Sequence, residues 1–277
     1  MASRTIAGPA GNVHVSDGGA GTGHPVLFVH SFAGSSTHWR AQLDFLRRTR
    51  RALALDLRGH GQSQPPANGD YSVAAMARDI AAVADAFQLD DFILVGHSMG
   101  GSASIAYAGE HPDRVAGLML VGTPGKTPAA VAQKIISAMR ADYDRVMESY
   151  WAKLLEGAQP EVRERVRADM KKIPREAADK MITSVFAFDP LKPMHNYPGP
   201  CFVVSTPHAD TPDALEKQIP DLPFETIDGA SHWLQMDKPG AFNEILADFI
   251  DLVEIGERAQ APWHTSTRVE QDYRREY

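Results

Sequence analysis

Ser98 stands in Val95-Gly96-His97-Ser98-Met99-Gly100-Gly101, where an apolar run meets the helix formers Ser102–Ala108. A serine flanked by small residues at a strand-to-helix turn is raised above the sheet and lies at a helix N-terminus, where developing negative charge is favoured. The chemistry this permits is attack on a carbonyl, and it makes demands on the rest of the chain. A serine hydroxyl is a weak nucleophile until a base takes its proton. Of the 11 histidines, His232 is the best placed, in Thr226-Ile227-Asp228-Gly229-Ala230-Ser231-His232-Trp233 between the last strand-like run and the last helical one. A loop there leaves the sheet at its carboxyl edge, the same edge as Ser98. His30, His60 and His97 also lie near strand ends and are read as hydrogen-bonding loop residues. A carboxylate must then hold the imidazole in the correct tautomer. Asp210 is the leading candidate, on the loop that follows Phe202–Val204, with Asp213 as the alternative. Two backbone donors must face the carbonyl oxygen as it becomes charged. The amide of Met99 is one, and the loop His30–Ser36 offers the other, the amide of Phe32.

These groups need elements to carry them. The runs Val26–Val29, Ala52–Leu55, Phe92–Val95, Leu118–Val121, Phe202–Val204 and Phe224–Ile227 are apolar almost throughout, the pattern of strands covered on both faces in a parallel sheet. Helical spacing recurs between them, in Val73, Met76, Ala77, Ile80, Val83, Ala84 and Phe87, and again in Phe242, Ile245, Leu246, Phe249, Ile250 and Val253, with Pro239 opening the second. The alternation predicts a doubly wound α/β sheet. From about residue 127 to 188 the pattern is helical only, with breaks expected at Pro160, Pro174 and Pro190. The glycine-rich stretch at residues 16–24 precedes a strand rather than a helix, so it is read as a hairpin connection and not a phosphate loop.

With 28 Lys and Arg against 35 Asp and Glu, the net charge is −7 and no basic stripe tracks a phosphate backbone, which argues against nucleic acid. The single cysteine, Cys201, rules out an internal disulfide, and no Cys/His cluster has the spacing of a metal site. Neither a signal core nor a membrane span is apparent, so the expectation is a cytoplasmic protein with no membrane partner. No metal or organic cofactor is called for. Residues 256–277 have few apolar anchors, which leaves disorder or packing on a neighbouring chain open, and with it a homo-oligomer.

Taken together, HSFAGSS at 30–36, DLRGHGQS at 56–63, GHSMGG at 96–101, the acid loop ending in Asp210 and GASHW at 229–233 resemble the α/β-hydrolase superfamily over nearly the whole chain. The resemblance implies an eight-stranded, mostly parallel sheet flanked by helices, with a core at 1–124 and 198–255 and a helical cap at 125–197. It also implies the chain order Ser98, Asp210, His232 for the catalytic groups, and a structural role for Asp56, Arg58 and His60. Two positions depart from the family pattern. Ser31 stands where His-Gly is usual and adds a hydroxyl near the oxyanion, and the acid loop lacks the common Gly-x-x-Asp form.

Serine at the elbow argues against relatives that form an alkyl ester on aspartate. The expected activity is hydrolysis of a small carboxylic ester or lactone through an acyl-enzyme. Carbon–carbon bond hydrolysis and cofactor-free perhydrolysis stand as alternatives, as does a non-catalytic small-molecule receptor on the same fold. Ser31, Trp151, Phe186, Phe188, Met194 and Trp233, with Phe32, are the residues expected to line the substrate pocket.

Overall fold

A computed structural model describes residues 2–205, 211 and 213–259. Its eight strands are β1 (Ala2–Gly8), β2 (Gly11–Gly18), β3 (Val26–Val29), β4 (Ala52–Leu55), β5 (Phe92–His97), β6 (Val115–Val121), β7 (Cys201–Ser205) and β8 (Phe224–Thr226). They form one sheet in the order β1-β2-β4-β3-β5-β6-β7-β8, antiparallel at β1, β2 and β4 and parallel from β4 onward. This is the α/β-hydrolase fold expected from the residues. Strands β3, β4 and β5 are buried at every position because both sheet faces are covered, which is why they read as unbroken apolar runs.

The first two strands escaped the periodicity reading, since β1 lies at the sheet edge and is mostly exposed. Their discovery corrects the hairpin expected before Val26. β2 and β3 both flank β4, antiparallel and parallel respectively, so the glycine-rich connection passes around the start of β4 instead of turning back on itself.

One face of the sheet is covered by α2 (Val73–Ala86) and α3 (Met99–Glu110), the other by α1 (Arg40–Leu46) and α11 (Pro239–Ala259). α11 runs four residues past the boundary expected at 255, and residues 260–277 lie outside those described. Between β6 and β7 come α4 (Ala129–Ala141), α5 (Tyr143–Leu154), α6 (Pro160–Met170), α7 (Arg175–Ala187) and α8 (Leu191–Asn196). Pro160 occupies the first turn of α6, and Pro174 and Pro190 precede α7 and α8, so these prolines start helices where their missing N–H costs nothing. Asp142 separates α4 from α5 and caps the latter through the Arg145 amide. α9 (Leu215–Gln218) and α10 (Leu234–Asp237) are short. Among the described residues no helix is long and apolar enough to cross a membrane.

The turn after β4 is built on buried charge. Asp56 accepts from the Ser36 amide at 2.6 Å, the Gln62 amide at 2.8 Å and His14 Nδ1 at 3.1 Å, and His14 in turn meets the Ser3 hydroxyl. Arg58 holds Asp79 through two contacts of 2.7 Å, and both side chains are buried. These residues fix the loops beside the site rather than face it.

The inserted helices are tied to the core by another buried contact. His38, in the 3₁₀ turn Ser36–Trp39, donates from Nε2 to Asp169 Oδ2 of α6 at 3.0 Å. Burial works against the Asp169 carboxylate, but hydrogen bonds from His38, Lys172 and Arg165 hold it well below the usual range. Asp169→Ala would leave the buried His38 N–H and two cations without their acceptor. It should lower unfolding free energy by about 3 kcal/mol, read as a fall in Tm, while Asp169→Asn should cost less because its amide oxygen still accepts.

Candidate active site

Every parallel strand ends at the same edge, and the site is assembled from the loops that leave it. Ser98 follows β5 directly and adopts φ 53°, ψ −115°, a left-handed conformation uncommon for a residue with a side chain. Its amide donates to the Val121 carbonyl at 2.8 Å, which pins the turn to β6. The neighbouring glycines are sterically required. A Cβ on Gly100 would come within 2.3 Å of the His30 carbonyl, and one on Gly96 within 2.5 Å of Ser104 Oγ. The strained serine is therefore held by backbone packed too closely for any larger residue.

His232 is fixed on both sides of its peptide plane. Its amide donates to the Leu154 carbonyl at 3.0 Å, and its carbonyl accepts from His97 Nε2 at 2.9 Å. His97 Nδ1 accepts from the Gln235 amide at 3.2 Å, which sets the tautomer. Around the turn, Asp237 Oδ2 accepts from the Ser231 amide at 2.9 Å and from its hydroxyl at 2.5 Å, while Oδ1 accepts from the Gln159 amide at 2.8 Å. His97, Gln235 and Asp237 were not assigned to the site from sequence. Their role depends on contacts made across more than 100 residues, or on a local turn that no motif announces.

The His232 ring lies over Gly122, the residue after β6. A Cβ there would sit 3.0 Å from Cε1 and 3.1 Å from Nδ1, and Gly122 has φ 50°. Gly122→Ala should therefore strain the backbone and push the imidazole by a few tenths of an ångström. A loss of at least about tenfold in kcat is expected, given that misplacement by about 1 Å costs about a hundredfold. Unchanged kcat on a short ester would separate this glycine from the position of the imidazole.

Burial keeps the site histidines neutral. It lowers the pKa of His232 to about 4 and that of His60 to about 4. His97 is held well below the ordinary value by burial and then by His232, and His30 by burial and then by His60. His30 Nδ1 donates to the Ser31 carbonyl at 2.7 Å and Nε2 accepts from the Leu57 amide at 2.9 Å. His60 Nδ1 donates to the Arg58 carbonyl at 3.0 Å, and its Nε2 accepts from the Ala33 amide at 3.2 Å. Two neutral imidazoles thus brace the loop that carries Ser31 and Phe32. Among the described residues, the amides of Phe32 and Met99 are engaged by no other protein group.

A cavity of about 120 Å³ opens in front of these groups. Ser31, Phe32, Ser98, Met99, Trp151, Phe186, His232 and Trp233 all line it, so eight of the residues singled out from sequence converge on one space. Ser98 and His232 face it together, with no hydrogen bond joining their side chains among the described residues. Trp151 of α5 stacks on Phe32 at 5.6 Å with the planes 14° apart and lies 5.9 Å from Trp233. It is only 5% exposed, so it packs the inserted helices and walls the cavity at once.

Phe188 and Met194 do not line this space and are corrections to the expected pocket. Phe188 follows the end of α7 in extended backbone, and both side chains pack against the core beneath the sheet face that carries α2 and α3. Sequence reasoning missed Gly122 and Pro124, which follow β6, and Tyr150, Leu154, Met181, Ile182 and Val185, which complete the wall because α5 and α7 fold over it. Asp210 lies outside the described residues. Asp213 offers its backbone carbonyl to the Gly125 amide at 3.1 Å. Cys201 opens β7 partly buried, and burial pushes its thiol up to about 12, which leaves it protonated and unreactive.

Residues 24–160 match the family model described as alpha/beta hydrolase fold. Among curated proteins, the chain is 37% identical over 119 residues to 2-hydroxy-6-oxo-2,4-heptadienoate hydrolase of Pseudomonas putida, a match that covers 42% of this chain and 43% of that one. The chain thus spans less than half the length of the curated relatives it matches first. Among solved structures it resembles Est816, an N-acyl homoserine lactone degrading enzyme, with TM-score 0.77 and 25% identity over 89% of this chain and 100% of the other. It also resembles a thermophilic esterase from Thermogutta terrifontis, with TM-score 0.76 and 26% identity over 91% and 99% of the two chains.

Proposed function

The chain belongs to the α/β-hydrolase superfamily, and from that premise we propose that it is a serine hydrolase that opens a small carboxylic ester or lactone through an acyl-enzyme on Ser98. Neutral His232 takes the Ser98 proton, and Oγ attacks the carbonyl carbon. The Phe32 and Met99 amides receive the oxyanion, with the Ser31 hydroxyl beside them. His232 then protonates the departing alcohol, and a water activated by the same ring releases the acid. Asp210 is assigned to orient the imidazole.

The observation that carries this reading is the strained Ser98 elbow facing, across one apolar cavity, a histidine that burial keeps in its basic form. The cavity also bounds the substrate. At about 120 Å³ it is comparable with the roughly 150 Å³ void that admits benzene, so short acyl groups are preferred. The inserted helices, reading as a cap, set that limit.

Hydrolysis of a carbon–carbon bond in a small diketone is the second reading, favoured by the likeness to 2-hydroxy-6-oxo-2,4-heptadienoate hydrolase. A panel of nitrophenyl esters of rising chain length, simple lactones and a vinylogous diketone decides between them. The leading reading requires the highest kcat/KM on short esters or lactones. Labelling of Ser98 by a fluorophosphonate without turnover of any member would leave a small-molecule receptor in its place.

A further inference from the structure

Most of the cavity wall is apolar. Besides the Ser31 and Ser98 hydroxyls and the His232 ring, the polar side-chain groups of its lining residues are two indoles and one phenol, that of Tyr150 on α5. Tyr150 and Trp151 are neighbours on one helix yet differ sharply: 42% of Tyr150 is accessible against 5% of Trp151. The tyrosine ring meets the Trp151 ring near its edge, with centroids 5.6 Å apart and planes at 65°. Trp151 in turn stacks on Phe32, so the three rings form one contiguous part of the wall.

Among the described residues the Tyr150 hydroxyl has no hydrogen-bond partner. Tyr197, by contrast, donates its hydroxyl towards the carbonyls of Val115 and Pro200. Burial alone pushes the Tyr150 phenol up, with no charged neighbour contributing, yet the side chain retains accessible area. Tyr150 is thus a half-open residue of the cavity wall whose hydroxyl is engaged by no group among the described residues. Pockets of this kind use a few polar groups among apolar walls to orient the ligand.

We propose that Tyr150 is a specificity-determining residue: its hydroxyl donates to an oxygen of the substrate other than the scissile carbonyl, so the preferred substrate is a small ester or lactone bearing a second acceptor oxygen. This rests on the reading of the cavity as a substrate site. The small volume places that oxygen, as a ketone, ether or hydroxyl, within a few bonds of the carbonyl under attack. Plain alkyl esters of equal size fill the same space but leave the phenol unpaired, which a site built for a hydrogen bond penalises.

The test uses isosteric pairs. One places the oxygen in the acyl group (4-nitrophenyl methoxyacetate against the butyrate), the other in the alcohol (2-methoxyethyl acetate against butyl acetate), each rate divided by that for hydroxide. The wild type should favour the oxygenated member of at least one pair by about tenfold, and Tyr150→Phe should abolish that preference through KM, the oxygenated member losing about tenfold more than its alkyl counterpart. Equal losses on both members, or no loss on either, would overturn the assignment. Binding of the two acetates to Ser98→Ala, followed by the fluorescence of Trp151 and Trp233, gives a reading that needs no turnover. Tighter binding of the ether, lost in Ser98→Ala/Tyr150→Phe, supports the phenol's role in acetate recognition even if the wild type hydrolyses nothing. Equal affinities for the acetates, or no measurable binding of either, together with no preference in the nitrophenyl pair, refute it.

Discussion

Ser98→Ala should reduce kcat on a short activated ester by about 10⁴- to 10⁶-fold while leaving the fold and its melting temperature nearly unchanged. The size follows from covalent chemistry, because among the described residues no other hydroxyl of the cavity wall sits on such a strained elbow. Residual turnover above the water rate would come from the Phe32 and Met99 amides, which remain. The stability side follows from the elbow itself. Alanine at φ 53° bears the same left-handed strain as serine, and the hydroxyl makes no hydrogen bond to the described residues. Steady-state or single-turnover kinetics, with fluorophosphonate labelling of both proteins, measure this. Undiminished activity or labelling would remove Ser98 from the mechanism.

The second large effect is acid lability. His232 and His60, with pKa values of about 4 when folded, titrate near 6.5 once unfolded. Between those values the unfolded chain binds more protons, so stability rises with pH there and falls as pH drops from about 6.5 towards 4. Each such histidine contributes a slope of about 1.4 kcal/mol per pH unit. His30 and His97, held well below the ordinary value, add to it over the same window. His232 and His60 together give about 3 kcal/mol per unit, against a typical total stability of 5–15 kcal/mol, so Tm should fall steadily as pH drops below about 6.5, followed by tryptophan fluorescence and far-ultraviolet circular dichroism. A Tm independent of pH between about 6.5 and 4 would contradict the burial of these imidazoles.

How much of this was legible beforehand follows from the range of the interactions. The parallel strands announced themselves because burial on two faces leaves no polar alternation to hide them. β1 did not, since its mostly exposed edge lacks that continuous apolar signal. The hairpin reading of residues 16–24 failed because a loop's composition says that the chain bends but not which strand lies next to it. Phe186 and Phe188 looked equivalent in sequence. They part because one is within α7 and the other past its end, and only the former reaches the cavity.

By itself, the sequence determined the fold class, the elbow at Ser98, and the loops at 30–36 and 232 that meet it at one sheet edge, because each rests on local rules: hydrophobic period, glycine where backbones touch, and residue type at strand ends. Only the tertiary structure decided that Gly122 seats the imidazole, that His97 and Asp237 hold its loop, and that Tyr150 joins the cavity wall. Those facts depend on which surfaces meet after the helices between β6 and β7 fold back over the sheet edge. Long-range packing of that kind leaves no periodic trace in the order of residues.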